Sequence, residues 1–229
     1  MRRRYISTRL RVGLALGFSS LVSAGLFFVG AWANNSLEFI YLIWNLFLAW
    51  IPVLLVLWLE RTLRRKLWSS WEAMTATILW VGFLPNSFYI ISDYIHLQEV
   101  PRVDLLFDVV MFTAFVLNGL ILGYVSLFVV HTELLRRLST KVSALLVAFT
   151  LLVASFAIYI GRDLRWNTWD VLLNPASLLF DVSDRLLNPA AHPQIFTTTV
   201  SFFVLLGSIY VALCYVARMV CQQKLTAKE

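Results

Sequence analysis

Asp93 and His96, three residues apart, are the pair in this sequence best suited to acid–base chemistry. A carboxylate one helical turn from an imidazole can orient the ring for proton transfer. The pair closes a segment running from Phe83 to Leu97, in which Pro85 breaks or kinks a helix and suits the first turn of a new one. If α-helix resumes there, Asn86, Tyr89, Asp93 and His96 fall within an arc of about 80°, at ~100° per residue. They then form a polar ladder climbing to one surface of the protein. The same Asp93 and His96 also suit a plainer role, capping a helix end in contact with water.

A second dense segment runs from Tyr159 to Asp170. Continued helix puts Tyr159, Arg162, Trp166, Trp169 and Asp170 on one face. Arginine forks suit phosphate or carboxylate, and tryptophan faces suit a lipid or sugar. An Arg/Asp ion-pair and Trp belt sealing a bundle would use the same residues. Taken together, the two segments suggest one site. His96 is its acid–base residue and Asp93 the orienter. Asn86, Tyr89, Arg162, Arg165, Trp166, Asn167, Trp169 and Asp170 form its substrate-binding part, with the arginines on a phosphate-bearing headgroup or lipid-linked substrate. Asp104 and Asp108 read as caps at a helix N-terminus rather than a metal-binding pair. The sequence specifies no metal site and no cofactor, and it contains no nucleophile motif and no glycine-rich phosphate loop.

The elements that must position these residues are membrane spans. The chain has 229 residues, 60% hydrophobic and 14% charged, with a mean hydropathy of +0.77. A soluble domain is nearer ~45–50% apolar. Six apolar stretches, about 12–33, 37–59, 74–92, 107–130, 142–160 and 195–217, are each close to the ~20 residues a crossing helix needs. The fold expected is an all-α polytopic bundle of six transmembrane helices in a single domain over 1–229. No soluble head and no β-barrel fits this pattern. Val12 to Ala33 is longer than a signal-peptide core of ~7–15 residues, so it reads as an uncleaved anchor. The connection between spans five and six carries Leu172-Leu173-Asn174-Pro175-Ala176 and its near copy Leu186-Leu187-Asn188-Pro189-Ala190. Each Asn-Pro marks a turn or helix start. Between them Leu178, Leu179, Val182 and Leu186 oppose Ser177, Asp181, Asp184 and Arg185, the pattern of a short amphipathic helix on the outer interface.

Charge sorts by side. Lys and Arg number five in residues 1–11, four in 60–72, three in 131–141 and three in 218–229. Only Arg102, Arg162, Arg165 and Arg185 fall on the other face. This alternation places both termini in the cytoplasm. The net +6 thus divides into a basic inner face and an acidic outer one. It speaks for anionic lipid at the cytoplasmic surface and against nucleic acid. Asn45 and Asn118, within spans, should hydrogen-bond to neighbouring helices. Gly13/Gly17 and Gly119/Gly123 have the spacing that lets helices approach closely. Cys214 and Cys221 read as reduced packing residues.

The Leu84-Pro85-Asn86 turn with Tyr89, Asp93, His96 and Leu97, and the later Gly161-Arg162 and Arg165-Trp166-Asn167-Thr168-Trp169-Asp170 run, resemble the domain-of-unknown-function 1361 family of bacterial multi-pass membrane proteins. The resemblance covers roughly residues 38–217. It implies a bacterial cell membrane and supplies no substrate or catalytic residue. Three function classes therefore stand side by side: an uncharacterised membrane protein with a polar site at the outer interface that acts as an enzyme on a phosphate-bearing lipid, a small transporter, or a non-catalytic component assembling with other membrane proteins or with itself.

Overall fold

Long runs of Leu, Val, Ala and Phe with few charges leave the backbone no polar partner in a bilayer except itself, and helix is the result. In the computed structural model, which describes residues 8–98, 105–164, 166, 173–188 and 191–226, no strand occurs among the described residues. Among the described residues seven α-helices follow one another: α1 Thr8–Asn34, α2 Ile40–Leu63, α3 Trp71–Tyr89, α4 Leu105–Leu135, α5 Thr140–Asp163, α6 Pro175–Leu187 and α7 Gln194–Thr226. A 3-10 helix, Ile90–Gln98, continues directly from α3. Six of these helices are long and apolar enough to cross a membrane, the third including most of the 3-10 segment. The protein is a multi-pass membrane protein, and α6 is the short extra helix between the last two spans.

The sequence pattern suggested a break or a kink at Pro85. There is no break: α3 runs through it to Tyr89, just as α2 runs through Pro52. A proline inside a spanning helix removes one N–H, and packing against neighbouring helices holds the chain in place. The departure from α geometry comes at Ile90, where the winding tightens to 3-10.

The chain divides into two compact units, residues 1–130 and 131–229. In the first, α2 packs along α3, and a core of Leu42, Leu46, Ala49, Val53, Ile90, Phe112, Phe115 and Leu122 fills the interior. Gly119 and Gly123 of α4 lie against Ser87, Phe88 and Ile90, so the Gly-x-x-x-Gly spacing here serves a true close approach. Gly13 and Gly17 of α1 have the same spacing but open space beside them. Asn118 donates to Ser23 Oγ (2.7 Å) and the Ser19 carbonyl (3.1 Å) of α1. Trp50 of α2 donates to the neighbouring Ser20 (3.1 Å), so one amide and three serines tie α1, α2 and α4 together.

In the second unit, α5 packs on α7 through a buried stripe of Ser143, Val147, Leu151, Ala154, Ser155 and Ile158. Small residues at this spacing let two apolar helices come close without a hydrophobic driving force from lipid. His131, in the last turns of α4, meets Tyr210 of α7 at 2.7 Å between Nδ1 and the phenol oxygen. Tyr210 in turn bonds to Cys214, whereas Cys221 is exposed rather than packed.

Both units carry one buried glutamate near an arginine-rich helix end. Glu60 accepts from Arg9 (2.5 Å) and Arg64 (3.3 Å), and Glu133 from Arg136 and Arg137. These basic clusters are therefore also the neutralising partners of two carboxylates that are themselves almost inaccessible.

Candidate functional site

Two helices of different pitch meet in register beside Asp93. Four residues of α-helix rise about 6 Å, and three residues of 3-10 helix also rise about 6 Å. Tyr41 and Asn45 are four apart on α2; Asp93 and His96 are three apart on the 3-10 segment. The match produces paired rungs. Asn45 Nδ2 donates to Asp93 Oδ2 at 2.8 Å, and one turn on, the His96 ring packs edge-on against Tyr41 with centroids 5.1 Å apart. Deeper in the unit, Ser87 Oγ donates to the Ala49 carbonyl at 3.0 Å, a further turn down the same stripe of α2. The neighbouring rotation of the 3-10 segment carries Tyr94, whose hydroxyl bonds to Thr113 of α4 at 2.8 Å and fixes the segment from its other side.

Asp93 is only 1% exposed. It is thus no helix cap dipping into water but a carboxylate enclosed by protein within the third span. An ionisable group buried at membrane depth is costly, and a chain that keeps one there generally uses it. His96 is half-buried, one turn nearer the helix end than Asp93.

The ladder differs from the α-helical one that spacing suggested. Because 3-10 winding advances ~120° per residue, residues 90, 93 and 96 share a line, and Tyr89 is turned about 100° away from it. Tyr89 is half-buried, and its carbonyl accepts from Ser92 Oγ at 2.7 Å. Asn86 stays nearer the line but donates back to the Phe83 carbonyl of its own helix at 3.1 Å. Asp108 is buried in the first turn of α4; Asp104 lies outside the described residues.

The second segment belongs to the other unit. Tyr159 is buried and Arg162 half-buried at the end of α5. Arg165, Asn167, Trp169 and Asp170 lie outside the described residues. Trp166 is described, and its indole donates to Asp181 of α6 at 2.9 Å. Arg185 reaches the same aspartate, 3.7 Å to the carboxylate and 3.0 Å to the carbonyl. Asp184 accepts from Asn188 (2.8 Å) and is paired with His192 (3.1 Å). The hydrogen bonds from Asn188 and His192 hold the Asp184 carboxyl below the usual carboxylate range. His192, isolated in sequence, is thus a partner of α6. Among the described residues no group of three or more His, Cys, Asp or Glu could hold a metal ion.

Of the groups in the ladder, Tyr41, Asn45 and Ser87 were not singled out as site residues by their spacing. Two of them sit on α2, 48 and 55 residues before their partners, and no local pattern links them. The signal that exists is Asn45 itself, a polar amide in an otherwise apolar span.

A family model described as "Protein of unknown function (DUF1361)" matches residues 44–209. The match takes in Asn45, Asp93, His96 and all of α3 to α6, and leaves out α1 and Tyr41. No curated protein and no solved structure matches the chain.

Proposed function

Since the chain belongs to the family of proteins of unknown function DUF1361, whose description brings no substrate with it, we propose a function from the ladder itself: an acid–base site at the outer surface of a bacterial inner-membrane protein. The observation that carries this reading is the Asn45–Asp93 rung, a carboxylate 1% exposed and held by a neutral amide inside a membrane span. His96, on the next turn toward the surface, is the group that exchanges a proton with substrate or medium. Asp93 is its positioning residue and counter-charge. The outward assignment rests on the sorting of Lys and Arg, which puts both termini and the Glu60 and Glu133 clusters in the cytoplasm. The inner face then meets anionic lipid.

An enzyme acting on a phosphate-bearing lipid or lipid-linked substrate fits this placement, because such a substrate reaches the site laterally from the outer leaflet. Proton-coupled transport is the second reading, because Asp93 falls inside the third span, four residues before its last residue Leu97, and a carboxylate enclosed in a span marks a proton path. The two separate in one strain. A deletion strain profiled for envelope lipids and for proton flux supplies the readout, and chemical change without flux assigns an enzyme.

In that strain Asp93→Asn and His96→Ala, present in the membrane at parental level, are expected to lower the restored function ~100-fold or more, the size of an acid–base contribution. His192→Ala should restore it fully. Full restoration by both ladder variants would refute the acid–base site.

A further inference from the structure

The carboxylates of α6 are paired close to their own helix. Asp181 takes Trp166 and, one turn on, Arg185, and Asp184, more open to the surface, takes Asn188 and His192 just past the helix end. Leu178 and Val182 are half-buried, as are Asp181, Asp184 and Arg185, although the sequence pattern set the apolar positions opposite the charged ones; the side chain of Leu186 lies outside the described residues. What points away from the protein is Leu179, Phe180 and Leu187, with Leu173 just before the helix, each between 65% and 79% exposed. A helix that pairs its carboxylates and leaves leucine and phenylalanine exposed is built for an apolar surrounding.

Chain length says which one. At 13 residues α6 is too short to cross a bilayer. It is held between two helices that do cross, by 11 residues after Asp163 and six before Gln194. The shorter tether reaches no more than about 25 Å, which keeps α6 near the membrane boundary at which α7 begins. We propose that α6 is a lipid-inserted interfacial helix whose Leu173, Leu179, Phe180 and Leu187 are sunk among the acyl chains of that leaflet. Its Asp181 and Asp184 clamps fasten it to Trp166 and His192 at headgroup level. The occupant of this face is lipid, continuous with the lipid that surrounds α5 and α7, and the inference is independent of the acid–base site.

Nitroxide labels placed singly at residues 173, 179, 180 and 187 test it, in a Cys214→Ser/Cys221→Ser background reconstituted into vesicles of phosphatidylcholine and phosphatidylglycerol. Phe18, exposed on the first span, gives the lipid reference, and Ser69, in the α2–α3 connection, the water reference. Labels on α6 are expected to collide with dissolved oxygen severalfold more than the Ser69 label does, and to be shielded from a water-soluble nickel chelate, as the Phe18 label is. Collision with the chelate at the Ser69 level would overturn the proposal by showing a face in water. Shielding from both reagents would equally overturn it, by showing a face covered by protein or by a second copy of the chain. The four positions are independent, so one variant that fails to fold does not remove the test.

Discussion

Gly119→Ala is expected to destabilise the first unit by about 1–3 kcal/mol, the usual cost of forcing a methyl group into a filled interior. A Cβ at Gly119 would stand 2.5 Å from Ile90 Cγ2 and 2.7 Å from the Ser87 carbonyl oxygen. The side chain of Ile90 can give a little; the carbonyl cannot move without shifting the helix that carries Ser87 and, six residues on, Asp93. The substitution therefore strikes at the joint between α4 and the α3/3-10 junction. Gly17→Ala, in a motif of the same spacing, meets nothing within 4 Å and should leave stability unchanged or raise it slightly through helix propensity. Unfolding midpoints in a denaturing-detergent titration compare the two. Equal midpoints would mean that α4 does not approach the junction this closely.

The second large effect is expected at Asn45. Asn45→Leu removes the amide that donates to Asp93 Oδ2 and leaves a carboxylate enclosed by protein with one bond fewer. Stranding a buried polar group costs about 1–3 kcal/mol, and more when it is charged. Asp93→Asn, nearly the same shape and uncharged, should cost less than Asn45→Leu. The pair Asn45→Leu/Asp93→Leu should cost less than the sum of its two single changes, because it removes both polar groups together. The same detergent titration, run as a double-mutant cycle, checks this. Strict additivity would mean that the two side chains do not interact.

These two sites also show what could be read from the sequence. The six spans were legible because each rests on some twenty apolar residues in a row, a signal that survives without knowing any neighbour. Asp93 and His96 were legible by type, since a carboxylate and an imidazole near the end of an apolar run are conspicuous. Their surroundings were not. Spacing along one helix cannot say that Asn45 and Tyr41 stand opposite them, and hydrophobic pattern does not distinguish α from 3-10 winding over nine residues. For that reason Tyr89 was grouped with a face from which it is turned away. The two glycine pairs make the same point. Gly13/Gly17 and Gly119/Gly123 are indistinguishable as motifs, and only packing decides that one is a joint and the other open surface. On α6 the helix itself was legible, yet Leu178 and Val182 are half-buried together with Asp181 and Asp184, because the partners Trp166 and His192 lie outside the helix's own sequence.

The central claim, that His96 exchanges protons with Asp93 as its positioning counter-charge, is tested most directly by infrared difference spectroscopy of the protein in lipid nanodiscs as the pH is stepped. The account predicts carboxylate and imidazole bands that change together in the parent. Asp93→Asn should remove the carboxylate band and alter the imidazole one, and His96→Gln should remove the imidazole band and alter the carboxylate one. Bands that persist unchanged in both variants would contradict it.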